Sequence, residues 1–160
     1  MKVINTFVVI VVIVAIALPV YIWKEAKSSV SHKNQYEHNW QLQLPSKFKE
    51  LDQYTNQGGF RGEGTRYTIF RTEEKQLSSI LKPYSGRKVI EQYSGDSLHD
   101  NERDIQKYVE DTLLSLDVPE DKVPDFNGVY SWQDFNYESD RLVVLYFPNK
   151  KICYFVEDLR

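Results

Sequence analysis

Few residues in this chain have the chemistry for catalysis or metal binding. There is one cysteine, Cys153, and there are three histidines, His32, His38 and His99, in 160 residues. A thiol nucleophile needs exposure and a base beside it. Cys153 instead lies in ICYFV, an apolar run in which a free cysteine acts as a small hydrophobe. His32 and His38 are six apart in a polar stretch, not the spacing that puts two ligands on one helical face, and a metal needs more donors than these. His99 stands between Asp96 and Asp100, but one imidazole and two carboxylates make an incomplete metal site. The sequence therefore predicts no cofactor, no metal and no assigned catalytic residue.

The remaining candidate is a glycine cluster. Four of the seven glycines fall within residues 58–64, Gly-Gly-Phe-Arg-Gly-Glu-Gly. Glycine permits positive φ and close backbone approach, so the stretch has the make-up of a loop that cradles a phosphate or another anion. Its binding candidates are Gly58, Gly59, Arg61, Gly62, Glu63 and Gly64. The neighbours argue for something plainer. A dinucleotide fingerprint needs a strand before it and a helix after it, and a phosphate-binding P-loop needs a lysine. Here residues 65–72, TRYTIFRT, alternate as a strand, which favours a tight turn or bulge feeding that strand.

The stretch GGFRGEGTRYTIF resembles a Gly-Gly-Phe-x-Gly-(Asp/Glu)-Gly-x-(Thr/Tyr) motif in a loosely defined set of small membrane-anchored or secreted Gram-positive bacterial proteins. In that set a strand follows the glycines, and a strand pair rich in Tyr and Phe comes near the carboxyl terminus. Residues 142–147 and 152–157 match that pair here. Where members of the set carry His after the Phe, this chain has Arg61, which removes any histidine-based site from the loop. The resemblance implies architecture and no activity.

Composition narrows the partners. With 20 basic and 23 acidic residues the net charge is −3, so there is no basic excess to attract nucleic acid. Aromatic residues are plentiful, with Tyr 11, Phe 8 and Trp 3, and they predict a ring-rich core built on sheet, the sharper alternative being a sugar- or peptide-binding face.

Residues 7–23, FVVIVVIVAIALPVYIW, carry no charge. With residues 3–6 they supply the roughly 20 mostly apolar residues a bilayer span needs. Tyr21 and Trp23 suit the headgroup level, and Lys24 and Lys27 follow. No small-x-small cleavage site follows the apolar core, so a retained signal-anchor is expected rather than a removed secretory signal. No cysteine stands there for a lipid anchor. A count of Lys and Arg at the two ends favours an internal domain. A short basic terminus before a long apolar core instead marks an uncleaved anchor with its domain outside, and this orientation is adopted.

The expected organisation is a transmembrane signal-anchor over 1–23, a polar juxtamembrane spacer over 24–39 and one soluble domain over 40–160. The expected fold class is α+β: an N-terminal transmembrane helix, then one small domain with a mainly antiparallel sheet packed against one or two helices. The strands come from segments beginning at Trp40, Thr65, Gly128, Leu142 and Ile152, with a weaker one around Val89–Tyr93. Helices are expected at 100–116 and 73–81, covering one face, with a shorter one at 46–54.

The function expected from these features is a membrane-tethered, non-catalytic binding or interaction module on the outer face of a bacterial membrane. Its partners are the lipid bilayer, through the N-terminal helix, and an envelope component or protein. The alternative is a small membrane-anchored hydrolase or transferase using acidic residues near the glycine loop, Glu63 with Asp96 or His99.

Overall fold

The computed structural model describes residues 32–58, 62–75, 81–83, 91–97 and 102–160. The chain clusters into two units, Met1–Gln35 and Tyr36–Arg160. Of the first unit only residues 32–35 are described; they begin helix α1, His32–Trp40.

The elements that follow are β1 (Leu42–Gln43), β2 (Lys49–Thr55), β3 (Gly64–Arg71), β4 (Lys82–Pro83), β5 (Glu91–Asp96), α2 (Glu102–Ser115), a 3-10 turn (Glu120–Lys122), β6 (Ser131–Tyr137), β7 (Asp140–Phe147) and β8 (Ile152–Leu159). Strands β2 and β3, then β8, β7, β6 and β5, form one six-stranded sheet in that order, antiparallel throughout. β1 and β4 make a separate two-stranded ribbon.

The β7–β8 hairpin is the centre. RLVVLYF and ICYFV are rich in β-branched and aromatic residues, and neither strand shows polar alternation because both faces are covered. Leu142, Val144, Cys153 and Phe155 point to the face packed by α1, through Tyr36 and Trp40. Val143, Leu145, Tyr154 and Val156 point to the face packed by α2, through Ile105, Val109 and Leu113. α2 closes with Asp117 at φ 51, with Val118 N–H bonded to the Leu113 carbonyl and Asp117 N–H to that of Leu114, the Schellman pattern that satisfies the last carbonyls.

The expected fold class is corrected by this arrangement. The described chain is mostly antiparallel sheet with two helices, and no helix among the described residues is long and apolar enough to cross a membrane. Residues 1–23, where the anchor is expected, lie outside the described residues. The helices cover opposite faces, not one.

The helix predicted over 73–81 is not where the sequence put it. Residues 73–75 are not helical, residues 76–80 lie outside the described residues, and Lys82–Pro83 pairs with β1. The helix predicted over 46–54 is strand β2. As the sheet's edge strand it carries charge on both faces, which hides the period of two and leaves Phe48, Leu51 and Tyr54 spaced as if on a helix. A second helix comes from a stretch read as spacer. α1 is polar except for Tyr36 and Trp40, four apart and both wholly buried, so two rings on one face suffice to dock it.

Candidate functional site

The glycine-rich stretch is the β2–β3 hairpin loop. Gly58 and Glu63 bridge across it, with Gly58 N–H bonded to the Glu63 carbonyl at 3.0 Å. Asn56 braces its base, the side-chain oxygen accepting from Thr65 N–H at 2.7 Å. Gly64 has φ +118, and a Cβ there would meet Asn56 and the Gln57 backbone at 3.0 Å, so glycine is required on two counts. Gly62 also has positive φ, while Gly59, Phe60 and Arg61 lie outside the described residues.

Beneath this loop, on the α1 face, sits a carboxylate that the sequence reading passed over. Glu157 of β8 is completely buried. One of its oxygens accepts from the Trp40 indole at 2.7 Å and from the Asn39 amide at 3.2 Å. The other accepts from the Gln57 amide at 3.3 Å and from the Arg66 guanidinium, itself buried. Arg66 also lies 4.7 Å from the centre of the Tyr36 ring, whose hydroxyl shares a 2.8 Å hydrogen bond with Thr68. Burial, with the Glu157 charge second, pushes the Tyr36 hydroxyl well above its ordinary value. A buried carboxylate is tolerated only when paired and fully hydrogen-bonded, and four donors from α1, the β2–β3 loop and β3 meet that condition.

Above these groups opens a cavity of about 260 Å³. Asn39 and Trp40 line it from α1 and Glu63 from the hairpin loop; Tyr137, Asp140, Leu159 and Arg160 complete it from the β6–β7 turn and the end of β8. Asp140 accepts from Arg160 N–H at 2.8 Å, and the Arg160 guanidinium donates to Asp158 at 2.9 Å. A hydrogen bond to Glu138, and that residue's charge, raise the Tyr137 hydroxyl above its ordinary value. Glu63 is exposed on the rim.

The other candidate residues fall apart. Glu63 precedes β3, whereas Asp96 ends β5, four strands away across the sheet and at its opposite end. At about 4.8 Å per strand the sideways separation alone is roughly 19 Å, so no shared proton chemistry joins them. His99 lies outside the described residues. Cys153 is wholly buried in the α1-face core, and burial holds its thiol well above the ordinary range. Among the described residues no three His, Cys, Asp or Glu side chains are grouped to hold a metal.

The rings of the α2 face form core, as composition predicts. Tyr54, Tyr67, Tyr154, Phe147 and Tyr130 form a run of ring contacts across β2, β3, β8 and β7. All but Tyr54 are buried, and the Tyr67 hydroxyl donates to the Lys122 carbonyl at 2.7 Å.

The alternation of ICYFVE does carry a signal for Glu157: it shares the phase of Cys153 and Phe155, and Arg66 shares that of Thr68 and Phe70. Two opposite charges on inward positions mark a buried pair. Asn39, Tyr137, Asp140 and Arg160 carry no such mark, because only tertiary packing brings them together.

No family model matches this chain, and no curated protein and no solved structure matches it.

Proposed function

We propose that the chain is a non-catalytic binding module held at a bacterial membrane by its apolar segment, and that the cavity at the glycine-hairpin end of the sheet is its recognition site. One observation carries this reading. The two side chains flooring the cavity, Asn39 and Trp40, are both tied to the buried Glu157, while Glu63 on the rim stays open. Binding sites gain from side chains whose positions are fixed before the ligand arrives. The apolar run over 7–23 and the likeness of the glycine stretch to small membrane-anchored or secreted Gram-positive proteins support the location. The outer face of the membrane is proposed with it.

The hydrolase alternative loses one of its two pairings, since Asp96 stands across the sheet from Glu63. Two experiments test the proposal. Mapping of amide shifts on the full chain in lipid nanodiscs, against a panel of peptide and glycan fragments, should place perturbations at Trp40, Tyr137 and Arg160; perturbations confined to another surface would refute the site. For sidedness, a cysteine at Ser29 in a Cys153→Ala background should react with an impermeant maleimide on intact cells. Labelling only after lysis reverses the orientation.

A further inference from the structure

Resting on the cavity as a recognition site, we propose that its ligand is an organic cation, an ammonium group on a short alkyl chain such as a lysine side chain or a free diamine presents. The first argument is charge. Glu63 forms no ion pair among the described residues, and Asp140 is engaged through one oxygen by a backbone N–H, which leaves its charge uncancelled. Among the described lining residues Arg160 is the one cation, and Asp158 already takes its guanidinium through Nε and Nη2, each at 2.9 Å. The balance of charge among the described lining residues is thus anionic.

The second argument is that the nearest donors are already engaged. The Asn39 amide and the Trp40 indole, which line the cavity, both donate to Glu157. An anion entering the cavity would compete with a buried carboxylate that cannot leave.

The third argument is surface type. Tyr137, partly exposed, lines the cavity, and a tyrosine ring attracts cations through its face. A metal ion fits less well, since among the described residues no three metal-ligating side chains converge. The volume, about 260 Å³, lies just below the roughly 300–1,000 Å³ of drug-sized sites, so one side chain or a small amine fills it.

The test is a titration of the isotopically labelled full chain in lipid nanodiscs, read at the Trp40 indole and the Arg160 amide. The probes are Nα-acetyl-lysine methylamide, 1,5-diaminopentane, the neutral Nα-acetyl-glutamine methylamide, the acidic Nα-acetyl-glutamate methylamide and calcium chloride. Saturable shifts are expected from the two amines, at least tenfold weaker in a Glu63→Gln/Asp140→Asn variant whose remaining spectrum is unchanged. A stronger response to the lysine analogue identifies a peptide source, and a stronger response to the diamine a free amine. Equal shifts from the glutamine analogue or from calcium, or full binding by the double variant, would overturn the proposal. Shifts at the cavity from the neutral or acidic probe alone would overturn it and leave the recognition site standing. No shift from any probe would remove both.

Discussion

The two faces of the sheet solve the same packing problem differently. On the α2 face the interior is mostly rings and aliphatic side chains, with one buried carboxylate, Asp134 of β6, held from a partly exposed side chain. Arg141 there holds Asp134 with two bonds, 3.0 and 2.8 Å, while lying 4.0 Å from the Tyr108 ring centre and remaining 28% exposed. On the α1 face a full ion pair sits inside, with Arg66 and Glu157 4% and 0% exposed. Burying a pair that deeply gains little stability over apolar side chains of equal volume. Its place beneath the cavity, with Asn39 and Trp40 both bonded to Glu157, fits a part in fixing those two side chains.

That contrast can be broken, starting with the pair itself. Glu157→Ala leaves the Arg66 charge buried with its main partner gone and should cost about 3–5 kcal/mol, read as a fall in the urea midpoint. A cost near that of an exposed carboxylate would mean that water reaches the site.

The α2 face should respond to alkali through its phenols. Burial is the main cause that pushes the Tyr108 hydroxyl from 10.0 up to about 12, with the Asp158 charge second. The fold keeps a proton there that the unfolded chain releases above pH about 10, so stability is complete below that value and falls as pH rises towards 12. The loss from this group is about 2–3 kcal/mol by pH 12. Tyr108→Phe should flatten that part of the stability profile, with Tyr67 on the same face, also pushed up, adding to the remaining slope. An unchanged slope would show that Tyr108 is hydrated.

Smaller effects sharpen the picture of the same face. Gly95 faces Trp132 in the β5–β6 register, and a Cβ at Gly95 would fall 2.6 Å from Trp132 Cζ2. Gly95→Ala must therefore displace the indole, at about 1–3 kcal/mol, visible in Trp fluorescence. At the end of α2, Asp117 holds φ 51, where glycine carries no steric penalty. Asp117→Gly should raise stability by about 0.5–1 kcal/mol, measured as a small rise in melting temperature.

How much of this was legible follows the same division. The β7–β8 hairpin was readable because its apolar runs and its Pro-Asn-Lys-Lys turn agree with each other. Helix α2 was readable because Ile105, Tyr108, Val109 and Leu113 repeat at helical spacing. Helix α1 was not, since Tyr36 and Trp40 are its only buried side chains and the rest of it is polar. Edge strand β2 was misread for a similar reason: a strand half in water need not alternate. The glycine cluster drew attention to the correct end of the molecule, but the cavity itself joins residues up to 121 positions apart, Asn39 to Arg160, and no local pattern encodes that.

The most direct measurement replaces the buried pair rather than breaking it. An Arg66→Met/Glu157→Leu variant should keep near-native stability, because apolar side chains of similar volume substitute well for a buried ion pair. It should also free the Trp40 indole, seen as faster hydrogen exchange of its N–H, and weaken amine binding at the cavity at least tenfold. Unchanged indole exchange and unchanged binding in a stable variant would contradict the account, because the ion pair would then have no part in shaping the site.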